Sequence, residues 1–208
     1  MKRATLCLLL LAAPILSAGQ TDAPVRRPEI RVGDSWTYRS TNVIALGTDE
    51  HETRVTFADD KVILTVSTRK SDGKELDASW TPEWNGVMSY SGNMFRPNSG
   101  FFRFPLRVGD AYEWSYETLL NRDRGVLNSL KWRLTVSGWD TVDVPAGKFR
   151  AIKMEAAGVG QPFDGTAPFE IRASIWYEPE VRRWVKYQYV YPTFTRSEEL
   201  LRYKLTNE

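Results

Sequence analysis

The sequence predicts an all-β protein, an antiparallel meander curling into an open or half β-barrel of clam-like form with little helix. Three observations carry that expectation. Short runs with period-two alternation of apolar and polar residues recur along the chain. Turn signals such as Asp72-Gly73 and Asn85-Gly86 separate these runs. The aromatic load is high, with 8 Trp, 9 Tyr and 9 Phe among 208 residues, and such side chains suit a half-buried pleated surface.

The first element is an address. Lys2 and Arg3 form a basic start, Leu6 to Leu16 an apolar stretch, and Ser17-Ala18-Gly19 a small-residue cleavage site, so residues 1–19 read as a secretory signal peptide. The alternative is an uncleaved N-terminal anchor. Cys7 lies inside the apolar stretch rather than just after it, which is the wrong place for lipid attachment. No later run approaches the roughly 20 apolar residues of a transmembrane helix, so a periplasmic or secreted location is expected. Cleavage leaves 189 residues with 26 positive and 26 negative charges and no cysteine. A neutral, cysteine-free chain cannot be a thiol enzyme or a disulfide scaffold, and its charge does not suggest nucleic acid as a partner. The single histidine, His51, rules out a multi-histidine metal site, and no cofactor is expected.

Residues 20–30, with Pro24 and Pro28, read as an extended lead-in, and 31–208 as a single β domain. Strands are expected over Ser35–Thr41, Glu52–Phe57, Lys61–Thr68, Ala78–Glu83 and Val87–Ser91, with Asp59-Asp60, Asp72-Gly73 and Asn85-Gly86 as turns. Further strands are expected over Ala111–Thr118, Leu130–Ser137, Thr141–Val144, Phe149–Ala156, Phe169–Glu178, Arg183–Tyr191 and Ser197–Leu205. Trp132, Leu134 and Val136 share one face opposite Lys131, Arg133 and Thr135, and Ser137-Gly138 reads as a bulge. A helical turn is expected around Tyr116 to Arg124. Two stretches break the meander. Gly92 to Pro105 reads as a crossover packed by its own aromatics, and Gly158 to Pro168, rich in Gly and Pro around Phe163, as a mobile rim loop.

Arg31-Val32-Gly33-Asp34-Ser35-Trp36-Thr37-Tyr38 is echoed by Arg107-Val108-Gly109-Asp110-Ala111-Tyr112-Glu113-Trp114. In both, Val-Gly-Asp punctuates the entry to an aromatic strand, and two half-units meeting near 92–106 would explain the echo. Three further motifs read as fold punctuation. Phe104-Pro105-Leu106 ends the crossover, Val144-Pro145-Ala146-Gly147 joins two strands with Gly147 free to take a left-handed conformation, and Trp176-Tyr177-Glu178-Pro179 ends a strand.

Val32-Gly33-Asp34-Ser35-Trp36, Phe104 to Asp110, Val144 to Phe149 and Trp176 to Val181 resemble, in this order, motifs of a set of exported bacterial β proteins known as domains of unknown function. The resemblance runs from about Val32 to Tyr203. It implies an envelope β protein of open-barrel form and carries over no catalytic residue.

No nucleophile elbow, phosphate-binding loop or calcium-loop spacing is present. Glu50 and Glu52 flank His51 on a strand and so face away from it. The aromatics are more informative. Trp80 and Trp84 beside the Asn85-Gly86 turn, Phe101, Phe102, Phe163 and Trp184, with Arg182 in the basic run Arg182 to Lys186, are the candidate ligand-binding residues; the alternative is that they cap the core. On a regular strand Arg183, Val185 and Tyr187 would share one face, with Arg182, Trp184 and Lys186 on the other. The expected function is an exported non-catalytic β module holding an apolar or amphiphilic small molecule, or an envelope protein partner. The alternative is a carboxylate-dependent carbohydrate-active hydrolase, which needs two acidic side chains roughly 5–10 Å apart in a cleft.

Overall fold

A computed structural model describes residues 23–42, 47–119 and 125–207; the expected signal peptide lies outside them. Twelve antiparallel strands are formed among the described residues, and they contain no helix. They are β1 (Ser35–Asn42), β2 (Gly47–Ala58), β3 (Ile63–Arg69), β4 (Glu75–Trp80), β5 (Gly86–Met88) and β6 (Met94–Arg96). The second half comprises β7 (Ala111–Leu119), β8 (Val126–Val144), β9 (Gly147–Pro162), β10 (Phe169–Glu178), β11 (Arg183–Tyr191) and β12 (Phe194–Lys204). Each strand pairs with its neighbours in sequence, and β1 pairs with β12 from Ser35↔Lys204 to Asn42↔Arg196. The barrel is therefore closed, not open or half as the sequence suggests. Closure removes the two strand edges that a clam would leave unpaired.

The wall is uneven. β8 and β9 stay paired from Asn128↔Pro162 to Val144↔Gly147, whereas β5 and β6 meet only at Met88↔Met94. Odd-numbered strands all begin at one end of the barrel, here the base, and even-numbered strands at the other, the rim. The Val-Gly-Asp turns, the 179–182 turn and the 145–146 corner thus all lie at the base.

Alternation builds β8 as expected, with Trp132, Leu134 and Val136 buried and Lys131, Arg133 and Thr135 exposed. The expected strands at Leu130–Ser137 and Thr141–Val144 are one strand, because a bulge at Ser137, with Gly138 at φ +144, absorbs the break. At the corner after Val144, Gly147 has φ +132. Four expectations fail. Tyr116 to Leu119 extend β7 instead of turning into a helix, and 120–124 lie outside the described residues. β4 ends at Trp80, not Glu83. The positive φ of the following turn falls on Trp84 (+66), not on Asn85-Gly86, because the Asn85 amide bonds the Phe102 backbone through both its groups, at 2.7 and 2.9 Å. Gly158 to Pro162 belong to β9. Their glycines make room for rings: a Cβ on Gly160 would stand 2.1 Å from Phe169, and one on Gly158 2.4 Å from the Lys131 carbonyl and 2.9 Å from Trp132.

The 97–105 crossover does not pack on itself alone. Phe101 and Phe102 enter the barrel and meet Trp132 (5.1 Å) and Tyr177 (5.6 Å). Tyr112 and Trp114 of β7 donate to the Phe101 and Ser99 carbonyls, each at 2.6 Å, and fix this plug. The lead-in is tied in as well, through two 2.9 Å backbone bonds between Val25 and Leu106.

Candidate functional site

Above the plug the barrel interior is hollow. A cavity of about 540 Å³ runs from a floor of Trp80, Trp84, Phe102 and Trp184 to a rim at Ser89, Asn93, Leu127, Tyr191 and Phe194. Its volume falls in the range of small-molecule sites. Five of the seven candidate residues (Trp80, Trp84, Phe101, Phe102 and Trp184) line it. Phe163 does not: it sits exposed beyond β9. Arg182 lies at the base, outside the cavity.

Residues not singled out in the sequence complete the wall. Tyr187, Tyr189 and Tyr191 follow one another along β11 with ring centroids 6.3 Å apart and planes within 29°, and Phe194 extends the stack. Tyr116 and Phe95 face them from β7 and β6. The period-two Tyr spacing at 187, 189 and 191 was the available signal. It was obscured by a bulge. Trp176 pairs with Lys186 and Tyr177 with Trp184, so Val185 is the extra residue. The bulge reverses the alternation, and Trp184 and Tyr187 face the same cavity where a regular strand would separate them.

The turn from β10 to β11 is held under strain at the base. Arg182 has φ +61, a conformation costly for a side chain with a Cβ. The indoles of Trp36 and Trp84 donate to the Val181 and Arg182 carbonyls, each at 2.9 Å, and the Tyr38 hydroxyl to Trp184 O at 2.7 Å. The Arg182 guanidinium bonds Asp34 Oδ2 at 3.1 Å. These contacts set Arg183 below the cavity floor, 1% exposed, with its guanidinium carbon 4.2–5.7 Å from the ring centroids of Trp36, Tyr38, Trp80, Trp84 and Trp184.

Charge in the cavity wall is confined to β12. Glu198 is the one carboxylate lining the cavity among the described residues, and Arg196 Nη2 bonds it at 2.5 Å. Burial alone would raise the Glu198 pKa, but Arg196, His51 and Arg183 together hold it below the usual carboxylate value. His51 Nε2 lies 3.8 Å from Glu198 Oε1, yet burial outweighs that carboxylate and lowers the imidazole pKa, so it is neutral at pH 7. Burial likewise raises the Tyr116, Tyr187 and Tyr189 pKa values, and their hydroxyls stay protonated. Among the described residues the cavity lining holds one carboxylate, already ion-paired, and not the acidic pair that the hydrolase alternative requires. No cluster of three or more His, Cys, Asp or Glu able to hold a metal occurs among the described residues, and no helix there is long and apolar enough to cross a membrane.

No protein-family model and no curated protein matches the chain. Two solved structures are similar to the chain. One, a candidate lipoprotein from Parabacteroides distasonis, is 12% identical over 88% of this chain and all of its own, with a TM-score of 0.53. The other, a candidate exported protein with a YmcC-like fold from Bacteroides fragilis, is 13% identical with the same coverage and a TM-score of 0.44. At 12% identity the likeness to the Parabacteroides distasonis structure extends to the fold alone.

Proposed function

We propose that this protein is an exported, non-catalytic β module that holds an apolar or amphiphilic small molecule inside its barrel. The observation that carries this reading is the aromatic cavity of about 540 Å³, which the folded chain leaves open above a tightly packed plug. Maintaining it costs packing contacts that a closed core would supply. The N-terminal Lys-Arg, apolar and small-residue pattern supports export. The echo of the Val-Gly-Asp corners supports two half-units within one barrel.

Titration with an environment-sensitive apolar dye tests the cavity directly. Dye emission is expected to rise with saturable one-to-one stoichiometry, and Tyr189→Arg, which places a charge in the wall, is expected to abolish the rise while leaving the far-ultraviolet β signature intact. Unsaturable binding, or binding indifferent to that substitution, would overturn the reading.

A further inference from the structure

The polar groups of the cavity are sorted by height. At the floor they are turned away from the open space. The Trp84 indole donates to the Arg182 carbonyl at 2.9 Å, the Trp80 indole to Thr65 Oγ1 at 3.0 Å, and the Trp184 indole nitrogen is buried. The floor therefore presents ring carbon. In the wall, the ion pair is self-contained: Arg196 bonds Glu198 and, through Nε, Ser40 Oγ at 3.1 Å, so the lining carries no net charge among the described residues. Nearer the rim, neutral polar groups are left unused. The Tyr187, Tyr189 and Tyr191 hydroxyls, Thr118 Oγ1 and the Asn128 amide line the cavity without a hydrogen bond to any described residue. Thr118 and Asn128 pair directly where β7 ends and β8 begins. Asn128 is 6% exposed, and its Oδ1 is buried with no partner. Such groups set a requirement for the part of a ligand that lies beside them.

We infer that the cavity takes a neutral amphiphile with a polyhydroxylated head, of the alkyl glycoside kind. Its apolar tail lies on the tryptophan floor, and its hydroxyls meet Thr118, Asn128 and the tyrosine ladder toward the rim. This rests on the cavity reading above and adds the charge and orientation of the ligand. A charged head of either sign would leave water for a wall whose one cation and one anion already compensate each other, and burial of an uncompensated charge is costly. The reverse orientation is disfavoured too. It would strand the head on ring carbon and cover the amide and hydroxyls near the rim with a tail that cannot bond them. A ligand gains where it reproduces the hydrogen bonds of the water it displaces. A single hydroxyl could serve one or two of the unused groups, whereas a polyol brings several that both donate and accept.

The test titrates the full chain at neutral pH with octyl glucoside, octanol, octanoate and octylammonium, all kept below micelle formation. Tryptophan fluorescence reads the binding, since Trp80, Trp84 and Trp184 form the floor. Octyl glucoside is expected to bind about fivefold or more tighter than octanol, as one or more added hydrogen bonds would give. Octanoate and octylammonium are each expected to bind about tenfold or more weaker than octanol. Asn128→Leu, which keeps the side-chain shape and removes the amide, is expected to weaken octyl glucoside about fivefold and octanol less than about twofold. Tyr189→Phe, which removes only a hydroxyl, is expected to act in the same direction. If Asn128→Leu does not fold, Tyr189→Phe and the wild-type ranking decide. Octanol binding as tightly as octyl glucoside, or variants that weaken both alike, would overturn the polyol head. Either charged ligand binding more tightly than octanol would overturn the neutrality. In both cases the cavity reading stands. Failure of all four ligands while the apolar dye still saturates would overturn this inference alone, and failure of the dye as well would overturn both.

Discussion

The two Val-Gly-Asp corners have the same backbone and different surroundings. At the first, Gly33 donates to Val55 O, the Val55 amide to Asp34 O, and the Asp34 amide to Arg31 O. At the second, Gly109 donates to Val136 O, the Val136 amide to Asp110 O, and the Asp110 amide to Arg107 O. Both glycines have positive φ, +94 and +89, and the strand each corner meets carries a bulge just beyond the contact. The likeness continues into the strands. Trp36 and Tyr38 bond carbonyls of the β10–β11 turn and the start of β11, whereas Tyr112 and Trp114, with the two residue types exchanged, bond carbonyls of the plug. Each corner thus launches a strand whose aromatic tips staple an irregular segment to the barrel. The aspartates diverge. Asp34 is fully buried and gathers Arg182, the Arg31 amide and the Thr206 amide, while the half-exposed Asp110 carboxylate has no bonded partner among the described residues. A repeated sequence therefore repeats its backbone, and context assigns the side chain.

Aspartate substitutions test that division most sharply. Asp34→Ala is expected to destabilise the fold by about 3 kcal/mol, because it leaves buried donors and one arginine without their acceptor. Asp110→Ala is expected to stay within about 0.5 kcal/mol, as exposed positions do. Denaturant midpoints at constant m-value would measure both, and equal losses would break the comparison. The glycines should behave alike. Gly33→Ala and Gly109→Ala are each expected to cost about 1–2 kcal/mol from positive φ. Gly33 should cost slightly more, since its Cβ would stand 3.0 Å from Thr206 Oγ1, whereas nothing lies within 4 Å of a Cβ at Gly109.

The smallest effect expected is on pH dependence. β2, the strand that meets the first corner, carries His51, whose pKa burial lowers; β8, which meets the second, carries no histidine. The unfolded chain takes up the proton first, so stability is fully present above the unfolded value of about 6.5 and declines as pH falls toward the lower folded value. His51→Asn should flatten that slope in urea unfolding between pH 7 and 5, and an unchanged slope would assign it to other groups.

Local pattern was legible wherever alternation was regular. Trp132, Leu134 and Val136, the corner at Gly147 and the aromatic strand entries all follow from short-range spacing. What was hidden depends on contacts distant in sequence. Closure of β1 on β12 leaves no mark in either strand. Gly158 and Gly160 read as loop residues because the rings of Trp132 and Phe169 that need their space lie elsewhere in the chain. At the cavity, Trp80, Trp84 and Trp184 were visible as aromatics near turns, but one extra residue, Val185, concealed the face shared by Trp184 and the tyrosine ladder. The caged Arg183 had no sequence signature, since its five rings come from β1, β4, β11 and the turn after β4.

The pairing of Ser35 with Lys204 also has a kinetic consequence. As the chain grows from its N-terminus, β1 is the first strand made and its closing partner the last. Hairpins from β2 onward can form in passing, but the curled sheet keeps two free edges and an uncovered aromatic interior until β12 arrives. Folding should therefore be slow for the size of the domain, as non-local pairing dictates, and the late, nearly complete sheet is the species most exposed to aggregation. A chain that cannot seal itself early also stays pliable for as long as its last strand is withheld.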